Sequence, residues 1–185
     1  MRLSRRASVM LALGVFLAVG ARTAIAASAT EITQNAQKAL DVLCKKNQSA
    51  KLLRTEARAI LVFPSIYKAG FIVGGSGGDG ALFKGGKAVA YYRSVAASYG
   101  LQAGVQKYGY ALFFMNDDAL AYLDKSEGWE IGVGPSIVVV DAGVGKSLTT
   151  TTGRSDVYAF IFDQKGLMAG LGIQGSKVTK ISPDK

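Results

Sequence analysis

Histidine is missing from this chain of 185 residues, and cysteine occurs once, at Cys44. Without histidine, a Ser-His-Asp or Cys-His nucleophile, a histidine base and a histidine metal cluster are all excluded. One cysteine permits no internal disulfide and no zinc finger. Two interpretations of Cys44 stay open, a disulfide between chains and a buried thiol on an apolar helix face. We therefore expect no catalytic residue, no metal and no cofactor.

Two glycine-rich segments have the spacing of nucleotide-binding loops but lack the surrounding sequence that such loops need. Residues 75–80 match the dinucleotide-binding pattern, which has to open directly into a helix. The sequence after Gly80 instead indicates a short strand and a hairpin. Gly145, Lys146 and Ser147 are similar to the end of a phosphate-binding loop, but Val140 stands where that motif needs glycine. Neither segment is predicted to bind a nucleotide.

The first 26 residues have the pattern of a cleaved export signal. Three arginines within the first six residues precede an uncharged, mostly apolar run over 7–21, and Ala24-Ile-Ala26 fits the small-x-small cleavage rule. The run is shorter than the roughly 20 residues of a membrane-spanning helix, and no cysteine follows it directly for lipid anchoring. We expect export to the periplasm or cell envelope, with an uncleaved anchor as the alternative.

The mature chain, residues 27–185, is predicted to be a single basic domain. Removal of the signal takes away four arginines and no acid, so the formal charge changes from +9 to +9 − 4 = +5. The remaining 185 − 26 = 159 residues suffice to bury a core without disulfides or metals. Export and this modest charge argue against nucleic acid as a partner.

Capping signals and apolar spacing predict that residues 27–58 are helical. Ser28 and Glu31 form a capping box, and apolar residues at helical spacing then predict a helix over 29–45. Ser49 is expected to cap a second helix. Further along, Asn116 is expected to cap a short helix between strands.

The segment 59–185 is predicted to be mainly β-structure, because it is rich in Gly, Val, Ile, Tyr and Phe. Hairpin turns are expected at 84–87 and 164–166, and flexible loops at 75–80 and 145–155. Strands are expected near 59–63, 69–75, 80–84, 87–95, 99–106, 109–115, 129–141, 157–162, 167–173 and 176–181.

Three segments repeat a pattern of two glycines four residues apart: residues 70–74, 100–104 and 166–170. Residues four apart in a strand point to the same face, so each copy offers two positions without side chains where a sheet bends or another backbone approaches. The predicted fold is α+β: two N-terminal helices packed on a strongly curved, barrel-like antiparallel sheet, with one short helix inserted between strands.

A longer-range signal is a series of short segments in a fixed order. They are Ala59-Ile-Leu-Val-Phe-Pro64, Lys68-Ala-Gly-Phe-Ile-Val-Gly-Gly75, Ser98-Tyr-Gly-Leu-Gln-Ala-Gly104, Asn116 with Ala119-Leu120, Gly132-x-Gly-Pro135, and Gly166-Leu-Met-Ala-Gly170 with Gly175. Together they resemble the SYLF domain, a lipid-binding family, over nearly all of the mature chain. The resemblance implies phospholipid binding, with phosphoinositides as the ligands of eukaryotic members. The actin binding of fungal members is not transferred, because an exported protein would not ordinarily meet actin.

Basic residues concentrate in the predicted helices and around the first hairpin turn. A basic amphipathic helix can lie among lipid headgroups, where each cation contributes about 1 kcal/mol. Alternatively, its apolar stripe packs on the sheet and the charges form a solvated face, and both hold if only the basic edge meets lipid. The predicted lipid-binding residues are Lys38, Lys45, Lys46, Lys51, Arg54, Arg58, Lys84 and Lys87, with Lys68 as an extension.

Trp129, beside Gly128, is the best sequence candidate for an aromatic anchor at a membrane interface. For the aromatic residues as a group, Trp129 included, alternation along strands favours core packing.

The leading hypothesis is a non-enzymatic, exported domain that binds anionic phospholipid. The alternative is a structural or protein-interaction module of the cell envelope without direct lipid binding. An enzyme using carboxylates would need convergent polar groups in a pocket, and the sequence identifies none.

Overall fold

The computed structural model describes residues 27–125, 128–141, 155–166 and 175–184. The predicted export signal, residues 1–26, lies outside the described residues. So do nearly all of the loop predicted at 145–155 and the strand predicted near 167–173.

Two helices open the described chain, as predicted: α1 (Ala29–Lys46) and α2 (Gln48–Glu56). Ser28 caps α1, because its hydroxyl accepts a hydrogen bond from the Glu31 amide at 3.2 Å. The predicted cap of α2 is wrong. Asn47 caps it instead of Ser49, through its side-chain oxygen, which accepts from the Ala50 amide at 2.9 Å. Asn47 has extended backbone geometry directly after α1, so α2 follows with no intervening loop.

One long ribbon of two strands dominates the fold. Strands β1 (Ala59–Lys84) and β2 (Lys87–Phe114) pair antiparallel from Ala59 opposite Phe114 to Lys84 opposite Lys87. The six separate strands predicted between 59 and 115 are parts of these two. The predicted turn at 84–87 is confirmed, since Gly85 and Gly86 have φ angles of +55° and +79°.

The prediction of a flexible loop at 75–80 is wrong, because these residues continue β1. Their glycines allow two parts of β1 to pass close to each other. A Cβ on Gly80 would lie 2.5 Å from the carbonyl oxygen of Val62, and one on Gly78 would overlap the carbonyl of Ser65. The ribbon therefore folds back so that residues 78–80 cross residues 62–65.

The fold-back occurs where the first two glycine-pair segments lie opposite each other. Gly70 pairs with Gly104 and Gly74 with Ser98, and the register shifts between Phe71 and Val73. A Cβ on Gly70 would lie 2.6 Å from the Cα of Gly74, so only glycine permits so sharp a bend. The curvature predicted from these glycines is confirmed. The third glycine pair begins at the end of a later strand, and the rest of it lies outside the described residues.

Four further strands extend the sheet. The order is β3 (Trp129–Glu130), β6 (Lys177–Ile181), β2, β5 (Val157–Gly166), β4 (Ile137–Asp141), with β1 also on β2. The prediction of a hairpin turn at 164–166 is wrong. Strand β5 remains paired with β2 up to Gly166, which lies opposite Gln106. The strand predicted over 129–141 is divided, since residues 131–136 form turns.

The connection between β2 and β3 holds the predicted short helix, α3 (Asp117–Ala121), followed by a 3-10 helix at Tyr122–Asp124. Asn116 caps α3, since its side-chain oxygen accepts from the Ala119 amide at 2.8 Å. The predicted α+β fold, with two N-terminal helices on a strongly curved sheet, is confirmed. The pair of β4 and β5 is parallel, so the sheet is mixed rather than purely antiparallel.

The alternating strands feed two apolar clusters. One fills the concave side of the sheet and includes Phe63, Tyr110, Phe114 and Trp129. The other lies between the convex side and the helices. It joins Ile32, Ala36, Leu40, Leu43 and Cys44 of α1 to strand residues such as Phe113 and Phe160. Cys44 is thus a buried free thiol. The helices are held to the sheet by the same stripe that makes α1 amphipathic.

Candidate anion-binding site

A surface cavity of about 250 Å³ lies where the helices meet the turn of the ribbon. We call it the basic notch. Its cationic walls are Arg54 at the end of α2 and Arg58 just before β1, and its opposite wall is Gly85 and Gly86 of the turn. The other residues that line it are Gln37, Leu40, Thr55, Ala57, Ala59, Ile60 and Phe83.

Arg58 is fixed in the notch by the backbone around it. Helix α2 ends with the Ala57 amide donating to the Leu53 carbonyl, and the Arg58 amide then donates to the Phe114 carbonyl at 2.8 Å. This bond joins the end of α2 to the paired end of the ribbon. The Arg58 side chain is exposed, so its guanidinium is available to a ligand from solution.

Lys84 and Lys87 border the notch on the ribbon side. They are cross-strand partners on either side of the two-glycine turn, and both are exposed. Within the described ranges, neither lysine forms an ion pair, and neither does Arg58. Three uncompensated cations therefore surround one depression.

Arg54 has a carboxylate partner. Its Nη1 donates to Oδ1 of Asp41 at 2.7 Å, and the same oxygen accepts from Nε2 of Gln37 at 3.1 Å. This pairing raises the pKa of Arg54 and, with the Arg54 hydrogen bond as the largest cause, lowers the pKa of Asp41. Arg54 therefore links α2 to α1. Together with the flanking Lys84 and Lys87, the two lining arginines and Asp41 give the surroundings of the notch a formal charge of +4 − 1 = +3.

The remaining predicted lipid-binding residues do not gather at the notch. Lys46 lies 3.7 Å from Asp163 of β5, in an ion pair exposed to solvent. Lys68 is half-buried and paired with Gln106 at the bend of the ribbon, far along β1 from the turn. Lys38, Lys45 and Lys51 are exposed on the helices. They add positive charge to the outer helical surface without lining the cavity.

The apolar stripe of α1 is covered by the sheet, so it is not open to lipid. Ile32, Ala36 and Leu40 are at most 3 % exposed. Of the two interpretations of this helix, the structure supports the one in which it packs on the sheet with its charges outward. None of the helices in the described ranges is long and apolar enough to cross a membrane.

Of the two interpretations of Trp129, core packing is confirmed and the interfacial anchor is wrong. Its side chain is 2 % exposed, and its ring lies 5.8 Å from that of Phe114. Its indole N–H donates to the carbonyl of Val133 at 2.9 Å. The tryptophan is therefore part of the concave core with its polar atom satisfied.

Sequence reasoning missed one feature of the notch and one cationic feature at the bend of the ribbon. The first is the Gln37–Asp41 pair, whose i,i+4 spacing was visible but whose link to Arg54 required the packing of α2 on α1. The second is Lys107, whose ammonium lies 5.3 Å from the Tyr67 ring centroid at the bend of the ribbon. Its register position next to Tyr67 became known only with the pairing of β1 and β2.

The chemistry available at the notch is that of anion recognition. Its lining offers guanidinium groups, amides and one hydroxyl, and its cationic guanidinium groups match planar or tetrahedral oxyanions. In the described part of the chain, no group of three metal-binding side chains occurs.

Comparison with known proteins gives one finding. Residues 95–183 match the model of a family described as Ysc84, Las17-binding protein actin regulator. The matched stretch begins within β2 and extends past β6, so it spans most of the sheet and α3, whereas α1, α2 and β1 precede it. No curated protein matches the chain.

Proposed function

We propose that this chain, in which residues 95–183 match the model of the SYLF (Ysc84) family, is a non-enzymatic domain that binds an anionic membrane surface, because that family is associated with lipid binding. The phospholipid headgroup is held at the basic notch, and the cations of the outer helical surface strengthen the attraction.

One observation carries this proposal: Arg58 lines the cavity, Lys84 and Lys87 flank the two glycines of its opposite wall, and none of the three has an acidic partner in the described ranges. A solvated face would explain scattered lysines. It does not explain why an exposed arginine faces a glycine wall that two cross-strand lysines flank. Each cation near an anionic surface contributes about 1 kcal/mol, so these three contribute about 3 kcal/mol.

The test is co-sedimentation of the purified protein with vesicles of neutral phosphatidylcholine, with and without anionic lipid. The informative variant combines Arg58→Gln, Lys84→Gln and Lys87→Gln. We expect selective binding to anionic vesicles and a loss of about 100-fold in this variant, because about 3 kcal/mol corresponds to two factors of ten.

The matched control combines Lys125→Gln, Lys177→Gln and Lys180→Gln, which removes the same charge from exposed positions, one directly after the 3-10 helix and two on β6. It should bind within about threefold of wild type. Equal losses in the two variants would mean that only the total charge matters, and the notch would then not be the site.

Salt gives a second readout. Raising the ionic strength from 0.1 M to 1 M shortens the screening length from about 10 Å to about 3 Å, so binding should weaken steeply. Salt-independent association with another protein, without vesicle binding, would favour a module of the cell envelope instead.

The proposal includes the exported location expected from residues 1–26 and does not include actin. The family description names an actin regulator, whereas the cations around the notch precede the matched stretch.

A further inference from the structure

The bend of the β1–β2 ribbon carries an apolar surface that is open to solvent at Val73 and Val105. Its other end, at Tyr67 and Lys107, lines a cavity of about 490 Å³ together with α1 residues and Asp79. Tyr67 and Ala69 alternate along β1, and the register adds Lys107 opposite Tyr67 and Val105 opposite Ala69. Val73 lies beyond the register shift that follows Phe71, at a position of the same parity as Tyr67 and Ala69. Residues that alternate on one strand, together with their cross-strand partners, share one side of a ribbon. We call this set the bend face.

Three large apolar side chains of the bend face are exposed to solvent. Val105 is 65 % exposed and Val73 64 %, the highest values for large apolar side chains in the described ranges, and Tyr67 is 58 % exposed. Single exposed apolar residues are ordinary on protein surfaces, but three on one side of a two-stranded ribbon form a patch.

The inner side of the bend has no room for these apolar side chains. There the glycines approach one another, with Gly70 against Gly74 and Gly104 opposite Gly70. Gln106, also on that side, is only 4 % exposed. Because the inner side is already closed by backbone, the larger side chains are left on the outside of the curve.

Cations border the bend face on one side. The Lys107 ammonium lies over the Tyr67 ring, and Lys165 of β5 lies beside Lys107 in the register. Both lysines are exposed, and within the described ranges neither forms an ion pair, whereas Asp163 nearby on β5 lies close to Lys46. At a lipid interface, aliphatic side chains enter the acyl region, while tyrosine and lysine lie at the level of the headgroups and phosphates. The bend face has the same arrangement, with apolar residues beside a tyrosine and two lysines.

We propose that the bend face is a second membrane contact, which inserts Val73 and Val105 into an anionic bilayer while Lys107 and Lys165 bind lipid phosphates. The proposal rests on the lipid binding proposed above and adds an apolar element to it. A second copy of the chain is a poorer occupant, because a two-fold contact through this face would bring Lys107 and Lys165 close to their own counterparts.

The first experiment compares two double variants with unchanged charge. In Val73→Ser with Val105→Ser, both apolar side chains of the bend face are removed. The control, Val133→Ser with Val139→Ser, changes valines that are 59 % and 46 % exposed elsewhere on the surface. Burial of an exposed valine contributes roughly 1 kcal/mol, so the bend variant should bind anionic vesicles about 10- to 30-fold more weakly, and the control within about twofold of wild type.

The second experiment reports insertion directly. A polarity-sensitive fluorophore is attached to Val105→Cys, and separately to Val133→Cys, in a Cys44→Ala background. Anionic vesicles should shift the emission to shorter wavelength at position 105 and not at position 133. The notch variant, at saturating vesicle concentration, should retain the shift at position 105.

The outcomes separate the two proposals. If wild type binds anionic vesicles but the bend variant binds equally well and the label at 105 does not shift, the bend proposal is overturned and the notch proposal stands. If wild type does not bind vesicles at all, both are overturned. If the bend variant loses self-association measured by sedimentation while its vesicle binding is unchanged, the face is an interface between two copies and insertion is refuted.

Discussion

Because two parts of β1 pass close to each other at Gly80, we expect a side chain at this position to destabilise the fold. A methyl group there would lie 2.5 Å from the carbonyl oxygen of Val62 and 2.7 Å from Cδ1 of Phe63. The carbonyl belongs to a paired strand and cannot rotate away, and Phe63 is fully buried. Gly80→Ala therefore has to separate two parts of one strand.

Overpacking of a buried site costs about 1–3 kcal/mol, and the obstacle here is backbone, so we expect a loss of about 3 kcal/mol. Gly77→Ala is the matched control. Its nearest atom, the carbonyl oxygen of Ser94, would lie 3.5 Å from the new methyl, an ordinary contact. That variant should gain about 0.5 kcal/mol, because alanine restricts the unfolded chain.

The measurement is equilibrium unfolding in urea, followed by the emission of Trp129, the single tryptophan of the chain, which is buried. With a denaturant slope of about 2 kcal/mol per molar, the two midpoints should differ by about 1.5–2 M. Midpoints within about 0.3 M of each other would refute the crossing of residues 78–80 over residues 62–65.

Two further predictions concern Asp41 and Trp129. Because Arg54 lowers the folded pKa of Asp41 below its ordinary 3.8, their pairing stabilises the fold above that pH and is lost as the pH falls through the lower folded value. Asp41→Asn should therefore flatten the acid side of a plot of urea midpoint against pH, and an unchanged slope would contradict the pairing. Since Trp129 is buried, its emission should stay unchanged when anionic vesicles are added, and Trp129→Phe should bind them like wild type; a lipid-induced shift would contradict its burial.

Local signals predicted the local structures. The capping box at Ser28, the cap at Asn116 and the two-glycine turn at Gly85 involve residues only a few positions apart, and the structure has all three. The choice between Asn47 and Ser49 failed because both are good caps, and the register of α2 relative to the end of α1 decides between them.

The predictions that failed concern features that depend on contacts between residues far apart in the sequence. Residues 75–80 have the composition of a flexible loop, but their glycines are needed where β1 crosses itself, and that crossing depends on residues more than ten positions away. Trp129 follows a glycine, as an exposed aromatic often does, but β6 and Phe114 bury it. Burial of this kind is a property of the whole sheet.

The candidate site was predictable in composition and not in geometry. Eight cations were expected to bind lipid, and four of them, Arg54, Arg58, Lys84 and Lys87, lie around one cavity. The partners Asp41 and Asp163, which compensate Arg54 and Lys46, come from other elements and carry no local signal. Alternation would have identified the bend face only with the register of β1 and β2 in hand.

The β1–β2 ribbon also has a consequence for the order of folding. Its paired residues are separated by 87 − 84 = 3 positions at the turn and by 114 − 59 = 55 positions at the far end. Pairing that starts at Gly85 and Gly86 closes only a slightly longer loop at each step, so the ribbon can form as a zipper. Until β5 and β6 arrive from the C-terminal part of the chain, the second edge of β2 remains open to other strands, which makes the unfinished ribbon the aggregation-prone intermediate.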